Sequence, residues 1–329
     1  MSFEQLQKSN NLDIIGGPNY LAGMIQLQQL SETFRQISLK SSKPFQIKGE
    51  VFTPTAALIQ FDQMIKVLSQ MPQYDHASLL STLQNEYVVM KGASFLAAKM
   101  HQIMKQQNWF DILQINQHPS KHQILEGLQI IWNEIRGYSA SSEADNDSNK
   151  RKNLISDQAK ENSKVVSRLL TQHTNLSLTK LSFFFNTTGD MTTLQTNEFE
   201  KAIVKLKSKL IDQLQQLNQG KLFCIQWRIQ RTFYGQYYLN MLVYYNEQHL
   251  LQKPQDQYLL SHTFDIDGQP TIQLDLSQVL TLTGKIERDN FQGINLASWK
   301  VIFNNMLYPL KYYYYQSKVI KSNFKYIVY

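Results

Sequence analysis

Lys221–Asn246, KLFCIQWRIQRTFYGQYYLNMLVYYN, decides how the second half of this chain is read. Its opening alternates: Phe223, Ile225, Trp227 and Ile229 fall on one side, and Cys224, Gln226, Arg228 and Gln230 on the other, the period-two pattern of a strand. RTFYGQ then supplies a turn and YYLNMLVYYN a second strand, so the stretch predicts a hairpin. Upstream, LTKLSFFFNTTG (178–189) predicts an aromatic strand. Between it and the hairpin, NEFEKAIVKLKSKLIDQLQQLNQG (197–220) carries Phe199, Ile203, Leu206, Leu210, Leu214 and Leu217 on one helical face and stops at Gly220. Strand, helix, strand and hairpin strand together predict a split α/β domain around a central antiparallel sheet.

Downstream the pattern is less decisive. Asp267-Gly268 marks a turn, and LDLSQVLTL (274–282) suits either a helix or a strand. Leu296, Trp299, Ile302, Phe303 and Met306 recur at helical spacing until Pro309, which lacks a donor and clashes with the preceding turn. The run YPLKYYYYQSK (308–318) therefore begins at a kink or a new helix.

The first 137 residues predict helices. In TPTAALIQFDQMIKVL (53–68), Thr53 caps and Pro54 opens a helix whose face holds Leu58, Phe61, Ile65 and Leu68. In SKHQILEGLQIIWNEIRG (120–137), Ser120 caps, Ile124, Leu128, Ile131 and Ile135 form the stripe, and Gly137 terminates. YSASSEADNDSNKRKN (138–153) then holds no large aliphatic residue, which predicts a mobile linker over 138–165, with a short helix, SKVVSRLLTQH, around its end. The expected class is α+β: a helical N-terminal domain (1–137), a flexible linker (138–165) and the α/β domain (166–329).

Composition narrows the class of protein. A chain of 329 residues, 42% hydrophobic and 12% aromatic, can bury substantial cores, and it holds no run of apolar residues long enough to span a bilayer. MSFEQLQKSNN lacks the basic and apolar regions of a signal peptide, and the one cysteine, Cys224, sits in an apolar run as a small core residue. These features predict a cytoplasmic protein with no membrane partner. The formal charge is +7, and residues 291–329 contain no Asp or Glu against Lys300, Lys311, Lys318, Lys321 and Lys325. That end permits contact with nucleic acid.

The second half, roughly 170–329, resembles the inovirus-type replication-initiator family, which includes the YagK/YfjJ C-terminal domain and looks like a relative of the His-hydrophobic-His endonucleases that nick single-stranded DNA. KLSFFFNTTG matches the first strand. IQWRIQ matches an aromatic-x-x-Glu strand, which places Gln230 at a metal-ligand position. GQYYLNMLVYYN matches Gly-x-x-His-hydrophobic-His, which places Tyr238 and Asn240 where two histidines stand. YPLK matches the Tyr-x-x-Lys of a nucleophile helix, with YQSK as a second copy, so Tyr308 or Tyr315, with Lys311 and Lys318, are the implied catalytic residues. In the family a divalent metal polarises the scissile phosphate while the tyrosine attacks and forms a 5′-phosphotyrosyl link. Gln, Tyr and Asn are degenerate ligands, so Mg²⁺ or Mn²⁺ is implied only alongside residual nicking.

The expectation is a DNA-binding protein of a phage or mobile element with lost or weak nicking. Single-stranded or hairpin DNA would lie across the sheet face of Gln230, Tyr238 and Asn240, with Arg228, Lys311, Lys318, Lys321 and Lys325 on phosphates and Tyr308 or Tyr315 stacking on bases. Two alternatives stand beside it: a non-enzymatic protein–protein module whose helical half binds a partner, and an active tyrosine endonuclease. Blander accounts also exist, namely a packed aromatic helix for the tyrosine run and a hydrogen-bonded polar hairpin face for Gln230, Tyr238 and Asn240. His118 with His122, and His249 with His262, lack a third ligand at metal spacing, and TLTGK (281–285) lacks the upstream glycine of a phosphate loop.

Overall fold

The computed structural model describes residues 18–39, 42–69, 87–89, 91–106, 112–187, 193–217, 220–231, 237–246, 263–264, 272–287, 294–315, 317–321 and 323–329. The RTFYGQ turn, Asp267-Gly268, His249 and His262 lie outside them. Helices and antiparallel sheets are both present, so the chain is mixed α and β. It divides into two compact units: one of Ala22–Asn153 with Leu310–Tyr313, the other of Met1–Leu21, Leu154–Pro309 and Tyr314–Tyr329.

The first unit holds a short strand, β3 (Tyr87–Val89), and is otherwise mainly helical: α1 (Pro18–Ser38), α2 (Ala56–Ser69), α3 (Lys91–Gln106) and α4 (Lys121–Ser139). Their apolar stripes meet in one core that includes Phe34, Phe61, Leu96, Met100, Leu128, Trp132 and Ile135. A hairpin unforeseen in the sequence also enters it. β1 (Phe45–Lys48) pairs antiparallel with β2 (Val51–Pro54), turning at Gly49 with φ +59°, a conformation that glycine adopts without steric cost. Phe45 and Phe52 pack edge-on, 6.4 Å apart. Pro54 thus ends a strand, and α2 starts after Thr55, whose hydroxyl accepts the Leu58 amide at 3.4 Å. The expected cap is displaced by two residues because the Phe-Gln-Ile-Lys and Val-Phe-Thr-Pro segments are too short to show a clear period. Gly137 does not stop α4, which runs on to Ser139.

The segment expected to be a mobile linker is instead part of a long helix, α5 (Ser142–Gln172). Ser141 accepts the Ala144 amide through its hydroxyl at 3.3 Å, and Glu143 and Asp145 sit in the first turn, where negative charge favours a helix. The first part of the buried stripe is built from polar residues, Asp147, Arg151, Gln158 and Asn162, and the rest from Val165, Val166, Leu169 and Leu170. Within the first unit, Asp147 accepts both the Lys91 amide (3.0 Å) and Arg151 Nε (3.1 Å), and Arg151 donates to the Leu310 carbonyl (3.4 Å). An inspection for aliphatic periodicity passes over such a stripe.

In the second unit, the sheet runs β11 (Lys325–Val328), β5 (Leu222–Arg231), β6 (Tyr237–Tyr245), β4 (Asn175–Thr187), β8 (Ile272–Glu287) and β7 (Thr263–Phe264), with β9 (Ile294–Asn295) parallel to the end of β8. LDLSQVLTL is therefore strand, inside β8. Two further helices belong here, α6 (Thr193–Leu217) and α7 (Leu296–Leu307). After α7 the chain makes a 3₁₀ turn at Tyr308–Lys311 and a short strand, β10 (Tyr313–Tyr315), rather than a helix of consecutive tyrosines. Pro309 cannot extend α7, and aromatic side chains in succession suit an extended chain. No helix among the described residues is long and apolar enough to cross a membrane.

Removing the charge at the head of the polar stripe tests its weight in α5. Asp147→Ala leaves the buried Arg151 guanidinium without its carboxylate, so a loss of about 3–5 kcal/mol is expected in urea unfolding. An unchanged midpoint would show that the pair contributes little.

Candidate functional site

The register of the central strands sorts side chains onto two faces. In β5 and β6, Arg228 lies opposite Asn240, Gln230 opposite Tyr238 and Gln226 opposite Leu242; in β4, Ser182 lies opposite Asn240 and Lys180 opposite Leu242. Alternation then puts Gln226, Arg228, Gln230, Tyr238, Asn240, Tyr244, Lys180 and Ser182 on one face. Phe183, Trp227, Ile229, Arg231, Tyr237, Leu239, Met241, Val243 and Tyr245 share the other. Every residue of β6 is buried, which requires cover on both sides.

On the polar face the cover comes from α5 and α7. Asn162 of α5 donates to Gln226 Oε1 at 2.6 Å and accepts Trp299 Nε1 of α7 at 3.0 Å, while Tyr244 donates to Gln226 Oε1 at 3.0 Å. Trp299 meets Tyr244 edge-on at 6.2 Å. Further along, Ser182 donates to Asn240 Oδ1 at 2.8 Å, and Asn240 Nδ2 donates to Gln230 Oε1 at 3.1 Å. Arg228 donates to the Met306 carbonyl at the end of α7 (3.1 Å), and its guanidinium lies 4.7 Å from the Phe324 ring centre. A cation at the last turn of a helix meets the negative end of its dipole.

The fold thus brings Gln230, Tyr238 and Asn240 together, as the strand matching requires, but it closes them in: Tyr238 and Asn240 are 1% exposed, Arg228 2% and Gln230 8%. This overturns the expected path of DNA over that face and the expected phosphate contact of Arg228, because two helices already occupy the space. The donor set does not fit a divalent ion either. Two amides and a phenol are weak ligands, and the Arg228 guanidinium in register with Asn240 opposes a second cation. The buried Lys180 adds to that positive field; burial, and then the charge of Arg228, push its ammonium down to about 7. Among the described residues no group of three His, Cys, Asp or Glu could hold a metal.

The tyrosines are placed elsewhere. Tyr315 lies on the opposite face of the sheet, where it and Tyr237 both donate to Oε1 of the fully buried Glu200 of α6, Tyr237 at 2.8 Å. Burial and then the hydrogen bond to Glu200 push the Tyr315 phenol up to about 12, while burial foremost raises Tyr237. Arg231 stacks over both rings, 5.2 Å and 5.3 Å from their centres. No motif in the sequence singles out Glu200; its only signal is an acid at the position following the buried Phe199, on the flank of an apolar helical stripe. Tyr315 therefore does not converge with Gln230 and Asn240, nor is it ionised near neutrality.

Tyr308 opens the 3₁₀ turn after α7 and is half-buried, whereas Lys311, Lys318, Lys321 and Lys325 are exposed. His118 accepts the Ser120 amide through Nδ1 at 3.2 Å, and His122 packs edge-on against Phe52, so each is used locally. Cys224 is buried, and burial pushes its thiol up to about 12. Comparison with known protein families, with curated proteins and with solved structures finds no match for this chain.

Lys180 makes the polar face sensitive to pH. Its ammonium titrates near 7 when folded and near 10.5 when unfolded, so between those values the unfolded chain binds the extra proton. Stability accordingly rises with pH there, by up to about 1.4 kcal/mol per unit, and the full penalty of the buried charge applies below the folded value. Above about pH 9 the raised Cys224 and tyrosine groups act in the opposite sense. Urea midpoints measured from about pH 7 to 8.5 should climb, and Lys180→Met should both raise the midpoint at pH 7 and flatten the climb.

Proposed function

We propose that this chain is a DNA-binding protein of a phage or other mobile element, built on the plan of rolling-circle replication initiators and working without nicking. One observation carries the proposal: the acid-free stretch 291–329 keeps Lys300, Lys311, Lys318, Lys321 and Lys325 at the surface, while the positions matched to metal ligands are sealed in the interior. Exposed lysines meet phosphates and release counterions, which gives sequence-independent affinity that falls with salt. The sealed amides, hydrogen-bonded to each other and to Ser182, and the buried phenol supply fold rather than chemistry.

The same observation separates this proposal from an active endonuclease. Tyrosine attack on phosphate needs an accessible phenol, a metal or equivalent to take the developing charge, and both in one place. Tyr315 is buried on a carboxylate, and the matched ligand positions lie on the other side of the sheet. The expected outcome of a filter-binding assay is retention of labelled single-stranded or hairpin DNA at micromolar protein, weakening steeply between low and moderate salt. Incubation with Mn²⁺ should leave the DNA intact and free of covalent protein. Absence of retention at low salt would end the DNA-binding proposal, and an adduct lost on substituting Tyr308 and Tyr315 by Phe would establish nicking instead.

A further inference from the structure

We infer that single-stranded DNA binds along the edge strand β11 on the side of the sheet covered by α6, with Lys207 and Lys325 holding phosphates and Tyr329 stacking on a base. The inference rests on the DNA-binding proposal and assigns it a surface that differs from the sheet face considered first.

β11 lies at one end of the sheet, paired antiparallel with β5 so that Lys325 stands opposite Trp227 and Ile327 opposite Ile225. Alternation directs Lys325 and Ile327 to the same side as Trp227, and Trp227 in turn carries the Lys207 ammonium 5.0 Å from its ring centre. The chain continues in register past the strand: the Tyr329 amide donates to the Phe223 carbonyl at 3.0 Å. Ile327 and Tyr329 are each 40% exposed, and Lys325 is exposed. An exposed strip thus alternates cation, aliphatic and aromatic at the two-residue step of a strand, about 6.6–6.8 Å.

The electrostatics of the strip point to an anion. The Lys207 ammonium is pushed down, first by partial burial and then by the charge of Lys325, with the carboxylate of Asp212 acting against both. The Tyr329 phenol is pushed up by partial burial and by the same Asp212. The two ammonium charges repel each other and Asp212 offsets that repulsion only in part, so a phosphate held by both lysines relieves the rest. Rigid aromatic surface beside paired lysines is the combination that binds single strands without reading sequence, since every base has a face to stack. A duplex offers no free base faces to Tyr329, so the strip favours unpaired DNA.

The test uses the full chain and a fluorescein-labelled oligothymidylate, followed by anisotropy over a salt series. Lys207→Ala with Lys325→Ala should weaken binding by roughly tenfold or more and make the slope of log affinity against log salt shallower by about 1.4, the value for two phosphate contacts on a single strand. Tyr329→Ala should weaken binding by about fivefold or more, while Tyr329→Phe, which keeps the ring, should bind as the parent does. Circular dichroism checks that the variants fold. Lysine acetylation of the unaltered chain gives an independent measure: the oligonucleotide should protect Lys207 and Lys325 selectively. If the parent binds and neither the variants nor the protection pattern differ, the strip is not the site, although the DNA-binding proposal stands. If the parent binds no oligonucleotide, both fall. If Tyr329→Ala abolishes a concentration-dependent dimer seen by sedimentation and leaves DNA binding intact, the edge joins two copies of this chain and the inference is overturned.

Discussion

A sheet face lined with amides, hydroxyls and two cations can be buried only if its polar groups find partners. Along that face Ser182, Asn240 and Gln230 satisfy one another, and around Gln226 the requirement is met by Asn162. Its amide reaches Gln226 on the strand below and receives the indole of Trp299 from the neighbouring helix, so a single residue ties α5, α7 and β5 together. Leaving any of these groups buried and unmatched would cost about 1–3 kcal/mol each. The placement of both helices over the sheet follows from that constraint as much as from apolar packing.

The hairpin at the centre was legible because β5 alternates cleanly and β6 is a run of bulky side chains, buried throughout. The helix bearing Phe199 to Leu217 was legible because its stripe is aliphatic and unbroken. What escaped notice shares one physical character. The first part of the α5 stripe is carried by Asp147, Arg151, Gln158 and Asn162, which sit inside because distant residues satisfy them, and a pattern read along the chain does not contain those residues. Likewise the four consecutive tyrosines gave no period, and only the fold shows that Tyr315 turns inward to a carboxylate while Tyr312 remains half-buried.

For the site, strand matching placed Gln230, Tyr238 and Asn240 on a common face, and they do share one. Spacing along strands fixes which side a residue takes, so that much could be read without a structure. It carried no information about what covers the face, and none about the side to which the terminal tyrosines return. The surface that carries the DNA-binding inference, made by Lys207, Lys325 and Tyr329, joins residues from a helix and a strand more than a hundred positions apart, and no motif announces it.

Glu200 bears on how the chain end behaves. Two phenols share one of its oxygens, Oε2 has no hydrogen-bond partner among the described residues, and the nearby guanidinium stacks on the rings. Lifting Tyr315 away would therefore strip a sealed acid of half its hydrogen bonding and leave Arg231 one ring to lie on. Such a segment cannot fray residue by residue: the end of β10 stays seated until the wall of the helix behind it loosens too, so that strand end and α6 come apart together.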